Sequence, residues 1–169
     1  MEKNMEGYTG SVRAVMREAK RGSLRGIHGA LSQLISVPEQ YAVAIETAFG
    51  AALQNIVTDS EGDAKRAIQF LKETKGGRAT FLPLSAVRGR MLEERGLAQC
   101  DGFVAVASDL VKCDATYEAV VKAQVGRTAV AEDMDCAIAI ARKFSYRFRI
   151  VTLDGQIINA GGSMTGGSR

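Results

Sequence analysis

The stretch VTLDGQIINAGGSMTGGS, residues 151–168, carries the reading of this chain. With Arg149 and Ile150 before it, the stretch starts as an apolar strand, turns at Asp154-Gly155 and returns through Ile157-Ile158. That is a hairpin signature. The glycines that follow, GGSMTGGS at 161–168, spell G-x-x-x-x-G-G-S, one residue short of the phosphate-cradling G-x-x-x-x-G-K-[ST] loop. That loop needs a lysine for the phosphates and a helix N-terminus behind it, and Gly167 stands in the lysine position. A Gly/Ser linker is the plain alternative. A third reading is a contact surface, because residues without a Cβ at a sheet edge let another backbone approach closely.

Working outward, the same grammar occurs twice. Val57-Thr58-Asp59, a helix containing Ala64, and Thr80-Phe81-Leu82-Pro83 form one round. Val130-Ala131-Glu132, a helix containing Ala137, and Val151-Thr152-Leu153-Asp154 form the other. The offset is 73 residues in the first part and 71 in the second. Identity between the rounds is thin, so chance similarity stands as the alternative to two related α/β halves. A polar, glycine-containing stretch at 87–99 separates them as a linker. Periodicity and breakers predict a helix over 11–21 stopped by Gly22, and a strand with its exit over 27–37. A helix opened by Ser36 or Val37, with Pro38 in its first turn, carries Tyr41, Ala44, Ile45, Ala48 and Phe49 inward. A buried strand over 53–58 leads, through Asp59 and Ser60 as caps, to a helix marked by Ala64, Ala67, Ile68 and Leu71. Strands over 79–82 and within 102–107, and a helix over 115–125, complete the pattern.

Composition narrows the function classes. The chain is 46% hydrophobic and 24% charged, as soluble globular proteins are, and its apolar runs are too short to cross a bilayer. MEKNMEG at the start has no apolar signal-peptide core, so the expectation is a cytoplasmic protein with no membrane partner. Cys100, Cys113 and Cys136 are widely spaced and His28 is the only imidazole, which does not match zinc-site spacing and leaves three free thiols. Asp59, Glu132, Asp133 and Asp135 sit at helix starts, where capping competes with a metal-binding reading. No nucleophile–base pair stands out, and no catalytic or metal residue is assigned. The net charge of +3 does not announce a nucleic-acid binder. Its distribution is uneven: residues 10–25 hold five basic residues and one acid, and 136–169 hold five and one. Residues 101–135 hold seven acids and three bases.

Four segments in order resemble one family: GYTGSVRAV (7–15), HGALSQLISVPEQYAVAIETAFGAALQNIV (28–57), GRATFLPL (77–84) and the opening stretch (151–168). They resemble the hinge domain of bacterial SMC proteins, the structural-maintenance-of-chromosomes ATPases. The resemblance implies an α/β (α+β) hinge fold of two pseudo-symmetric halves, forming a ring-shaped two-fold homodimer. It implies the end of a coiled-coil arm at 1–9, a first half at 10–95 and a second at 96–169, with the arm resuming afterwards. It places Ile157, Ile158, Gly161, Gly162, Gly166 and Gly167 in the dimer interface, with the strand near Ile157-Ile158 as an exposed edge open to pairing. It further implies weak, sequence-independent DNA contact near the arms, for which Arg13, Arg17, Lys20, Arg21 and Arg169 are the candidates. The alternative is that these charges only solubilise the surface. The domain itself needs no cofactor, since ATP and Mg belong to head domains outside this chain, as do contacts with other subunits of a condensin-like complex. Nucleoid association follows. Two other readings remain beside it: a nucleotide- or phosphate-binding α/β domain using the Gly-rich loop, and a stand-alone DNA-binding protein.

Overall fold

One order of elements occurs twice within residues 7–168, the part of the chain that the computed structural model describes. After helix α1 (Gly10–Arg21) come β1 (Ile27–Ala30), α2 (Leu31–Leu34), β2 (Ile35–Ser36) and a 3-10 turn (Glu39–Tyr41). Then follow α3 (Ala42–Phe49), β3 (Ile56–Thr58), α4 (Glu61–Thr74) and β4 (Phe81–Pro83). The second round has β5 (Phe103–Val106), a 3-10 turn (Ala107–Leu110), β6 (Lys112–Cys113) and another 3-10 turn (Ala115–Tyr117). It closes with α5 (Glu118–Val125), β7 (Thr128–Ala131), α6 (Met134–Lys143) and β8 (Arg149–Thr152), and then continues into β9 (Ile157–Ile158) and β10 (Met164–Thr165).

The repetition extends to single interactions. Ser60 caps α4 by accepting the Asp63 N–H at 3.2 Å, and Asp133 caps α6 by accepting the Cys136 N–H at 2.8 Å. Such caps contribute about 1 kcal/mol each. Gly26 and Gly102 precede the first strand of each round with φ of +73° and +79°. Their carbonyls accept the N–H of Asp59 (2.9 Å) and Glu132 (2.8 Å). A Cβ on Gly26 would sit 2.1 Å from Asp63 Oδ2, and one on Gly102 would sit 2.2 Å from Cys136 Sγ. The same packing of a glycine under the cap occurs in both rounds, so the repeat is structural rather than a coincidence of letters.

Two compact units result, interleaved along the chain. The first holds residues 7–35, Ala51–Arg88 and Asp114–Val120; the second holds Ser36–Gly50, Gly89–Cys113 and residues 121–168. Each round lends a segment to the other's unit, so the division is not a single cut at 95/96, and the change after Arg88 falls inside the expected linker. In the first unit the sheet order is β1-β3-β4, with β1 antiparallel and β4 parallel to β3. Val12, Val15, Leu24, Ala30, Ile56, Ala67 and Leu71 form a core there. In the second unit the order is β10-β9-β8-β7-β5, with β8 parallel to β7 and the other pairs antiparallel. Ile140, Phe144, Phe148, Ile150 and Ile158 form its core together with Leu92 and Leu97. The polar stretch at 87–99 therefore inserts two leucines into a core. Arg149, half-buried, donates to the Ala48 carbonyl and to Thr128 Oγ1 (3.2 Å), tying the end of α3 to this unit.

Several expected boundaries shift for local reasons. The run 27–37 is not one strand, because Leu31–Leu34 turns helical between β1 and β2 and Gln33 Oε1 accepts the Ala30 N–H at 3.1 Å. Pro38 stands just before the 3-10 turn rather than within it, and α3 begins at Ala42. Residues Gly50–Gln54 form a 3-10 turn, so β3 starts only at Ile56. Helix 115–125 likewise opens as a 3-10 turn, capped by Asp114. Ser60, not Asp59, caps α4. Ile68, one of the four residues that mark α4 in the sequence, is 52% exposed.

Candidate self-association interface

The glycine stretch folds into a turn and a strand. Ile158 on β9 pairs with Ile150 of β8 on one side and with Met164 of β10 on the other. Between β9 and β10 the chain reverses: the Asn159 N–H donates to Ser163 O (2.7 Å), Gly162 N–H to Asn159 O (2.9 Å) and Gly161 N–H to Tyr146 O (2.8 Å). Gly161 and Gly162 have φ of +90° and +110°, in the left-handed region that side chains avoid. Beyond β10, Gly167 (φ +128°) is clamped by Gln156, whose Oε1 accepts its N–H at 2.8 Å and whose Nε2 donates to its carbonyl at 3.2 Å. The N–H groups of Gly161, Gly162 and Gly167, which a phosphate cradle would present free, are thus engaged inside the chain.

This geometry corrects the expected edge. The strand Ile157-Ile158 is covered on both sides, by β8 and β10, so the open edge is Met164–Thr165. Ile158 is 1% exposed and belongs to the chain's own core, whereas Met164 is 55% exposed. Gly161, Gly166 and Gly167 are exposed, and Gly162 and Ile157 are half-buried. The first unit has its own open edge at β4. The ladder to β3 uses the Thr80 carbonyl, which accepts the Ile56 N–H (2.9 Å), and the Leu84 N–H, which donates to the Thr58 carbonyl (2.8 Å). By the alternation of a parallel ladder, Phe81 turns its N–H and carbonyl toward the open side.

The basic candidates divide. Arg13, Arg17 and Lys20 follow one another at helical spacing along α1, exposed and opposite buried Val12 and Val15. Among the described residues no carboxylate pairs with these three. Arg21 is exposed but bound to Glu18 at 3.0 Å. Arg169 lies outside the described residues. His28 joins Asp59 through Nε2 (2.6 Å) and Tyr117 through Nδ1 (2.7 Å), fastening the borrowed segment Asp114–Val120 within the first unit. Burial, then the carboxylates of Asp114 and Asp59, push the Tyr117 phenol above its ordinary range. Among the described residues no group of His, Cys, Asp and Glu could hold a metal ion, and no helix is long and apolar enough to cross a membrane.

Sequence reasoning missed Met164, Ile68 and the Tyr117–His28–Asp59 chain. The first two carry no motif. Only a comparison of the two rounds exposes Ile68, because Ala141 at the matching place of α6 is buried.

Four findings bear on kinship. The family described as SMC proteins Flexible Hinge Domain matches residues 24–141. The Chromosome partition protein Smc of Bacillus subtilis is 43% identical over 171 aligned residues, covering 99% of this chain and 14% of that protein. The chain thus spans about one seventh of that relative's length. A crystal structure of an asymmetric dimer of the Geobacillus stearothermophilus SMC hinge domain superposes with a TM-score of 0.94 at 44% identity, covering 100% of this chain and 69% of that one. The Pyrococcus furiosus SMC hinge domain superposes with a TM-score of 0.76 at 32% identity, covering 93% of this chain and 87% of that one. With a family match across most of the chain and a hinge structure that superposes over all of it, this chain belongs to the SMC hinge family.

Proposed function

We propose that this chain is a homodimerisation hinge, joining two coiled-coil arms of a chromosome-organising SMC ATPase. The observation that carries this reading is the pair of open strand edges, β4 in one unit and β10 in the other. An unpaired edge templates pairing, and addition of β10 from one copy to β4 of another satisfies both. A two-fold dimer repeats that contact at two seams. The relative from Geobacillus stearothermophilus, solved as an asymmetric dimer, supports self-association. Sedimentation of the isolated chain at micromolar concentration tests it: a dimer is expected, and a monomer refutes it.

Contact with DNA is the second part of the proposal. The exposed stripe Arg13, Arg17 and Lys20 suits phosphate oxygens, which need only loosely spaced cations and give no sequence preference. Binding should weaken steeply with salt through counterion release. Reversing all three to Glu should flatten the dependence of log affinity on log salt by about 2.7 if each meets one phosphate. Unchanged DNA retention at low salt by that variant, still dimeric, would remove the stripe from the reading. ATP and Mg chemistry and contacts with other subunits belong, on this reading, to parts beyond residues 1–169, and nucleoid association follows from the DNA contact.

A further inference from the structure

The two rounds differ at one apolar helix position, and the difference marks an open place beside the first unit's sheet. Ala64, Ala67, Ile68 and Leu71 of the first round match Ala137, Ile140, Ala141 and Phe144 of the second, 73 residues on. Three of these pairs are buried in both rounds. The fourth is not: Ala141 is 2% exposed and Ile68 is 52% exposed. In the second unit β9 lies beside β8, and its Ile158 shares a core cluster with Ile140, Ala141 and Phe144. In the first unit, among the described residues, no strand lies beside the outer edge of β4. There Ile68 and Leu71 instead line an open groove of about 540 Å³, bounded by Lys72, Lys75 and the run Gly77, Arg78, Ala79 that leads to β4.

The second unit therefore shows what the groove takes: an apolar side chain on a strand added to the open edge, facing the helix. We propose that the occupant is Met164 of a second copy, delivered by its β10 and packing on Ile68 and Leu71. This rests on the dimer reading above and names the contact that would select the register at each seam. Met164 is directly opposite Ile158 in the β9–β10 ladder, so both side chains leave the sheet on the face that carries α6. Given the right-handed connection that βαβ units take, antiparallel addition of β10 to β4 puts α4 and the second copy's α6 on one face of the joined sheet. Met164 then points at α4. Its flexible thioether suits an irregular groove. Met164 and Ile68 are two of the three large apolar residues that stand exposed among the described residues.

The test is a double-mutant cycle on the whole chain, read by sedimentation across a concentration series. Both side chains are exposed in the single chain, so Ile68→Lys and Met164→Glu should leave its secondary structure, read by circular dichroism, unchanged. Each alone should weaken the dimer by at least about tenfold. The double variant, which sets the introduced lysine against the introduced glutamate at every seam, should recover most of that loss. Singles that dimerise as tightly as the parent chain overturn the contact while leaving the dimer standing. So does a double variant no tighter than the weaker single. A parent chain that stays monomeric overturns both the contact and the dimer reading.

Discussion

Replacing Gly161, Gly162, Gly166 and Gly167 together by Ala should abolish dimerisation by releasing β10, not by crowding a seam. Three of the four hold φ of +90°, +110° and +128°, where an L side chain costs about 1–2 kcal/mol, so the three together cost about 3–6 kcal/mol. Gly161 and Gly167 have open space where a Cβ would go, so backbone conformation is the cause at those two positions. Gly166 is different: its φ is ordinary, and a Cβ would meet Gln156 Oε1 at 1.9 Å, the far end of a side chain that can swing away. That swing forfeits the clamp on Gly167 and costs about 1 kcal/mol. Against this total stands a two-residue ladder to β9, whose hydrogen bonds contribute about 1 kcal/mol each. The strand should therefore detach locally while the other four strands of its sheet and the core around Ile140 and Ile150 remain. Hydrogen exchange should show the Met164 and Thr165 amides unprotected at unchanged protection of β7 and β8, and sedimentation should show a monomer. A quadruple variant that dimerises normally would refute the reasoning. So would Gly166→Ala alone acting as strongly as all four, since that would place the effect in contact rather than conformation.

Three further outcomes concern single positions. Gly126→Ala should destabilise the second unit by about 3 kcal/mol or more, measured by urea unfolding, because its Cβ would lie 1.8 Å from the Arg90 carbonyl oxygen and backbone cannot swing aside. Gly26→Ala should cost about 2–4 kcal/mol through strain at φ +73° and overlap with the Asp63 carboxyl. Adding Asp63→Ala should recover part of that loss, and costs that simply add would show the overlap to be irrelevant. The Asp63 carboxyl is held below its usual range of about 3.8 by the Ser60 hydroxyl first and the Arg66 guanidinium second. A depressed carboxylate stabilises the fold above its unfolded pKa and loses that contribution as pH falls through its folded pKa. The stability gap between the parent chain and Asp63→Asn should therefore hold steady above pH 3.8 and shrink below it, and a gap that widens in acid would contradict the assignment.

What the sequence revealed depended on whether the signal was local. Gly22, at φ +90°, ends α1 as its position after a helical run predicts, and Ser60 and Asp133 cap as their side chains suggest. The repeat was visible wherever strand and helix are adjacent in sequence, since period and capping are short-range properties. Its first part, from β1 to α3 and from β5 to α5, was not visible. Two-residue strands and 3-10 turns leave no period to read, and the Leu31–Leu34 turn interrupts an apolar run that looks continuous. Leu92 and Leu97 are buried by the second unit's core although their neighbours are charged, which no local pattern announces. The edge strand was misplaced by one because Met164 and Thr165 sit between glycine pairs that favour a linker in any propensity argument, and only the ladder to β9 makes them a strand.

The repeated architecture explains why one chain can carry both halves of a seam. Two identical α/β rounds would expose two identical edges, at β4 and at β8, and copies would meet edge to edge in a contact each edge could make with any other. The second round breaks that equivalence by adding β9 and β10 beyond β8. Ile158 then fills within the chain the place that stays open above β4, and the outermost strand presents Met164 in its stead. One edge becomes a socket lined by Ile68 and Leu71, and the other becomes the strand that fits it. Self-pairing of β4 with β4 leaves both grooves without a helix-facing thioether, and pairing of β10 with β10 leaves both Met164 side chains in water. The contact that covers both Ile68 and Met164 joins unlike edges, and a two-fold pair makes it twice. The glycines serve this arrangement by letting the chain reverse between β9 and β10 within a few residues, so that the added strand lies flat against its own sheet and keeps its outer edge free.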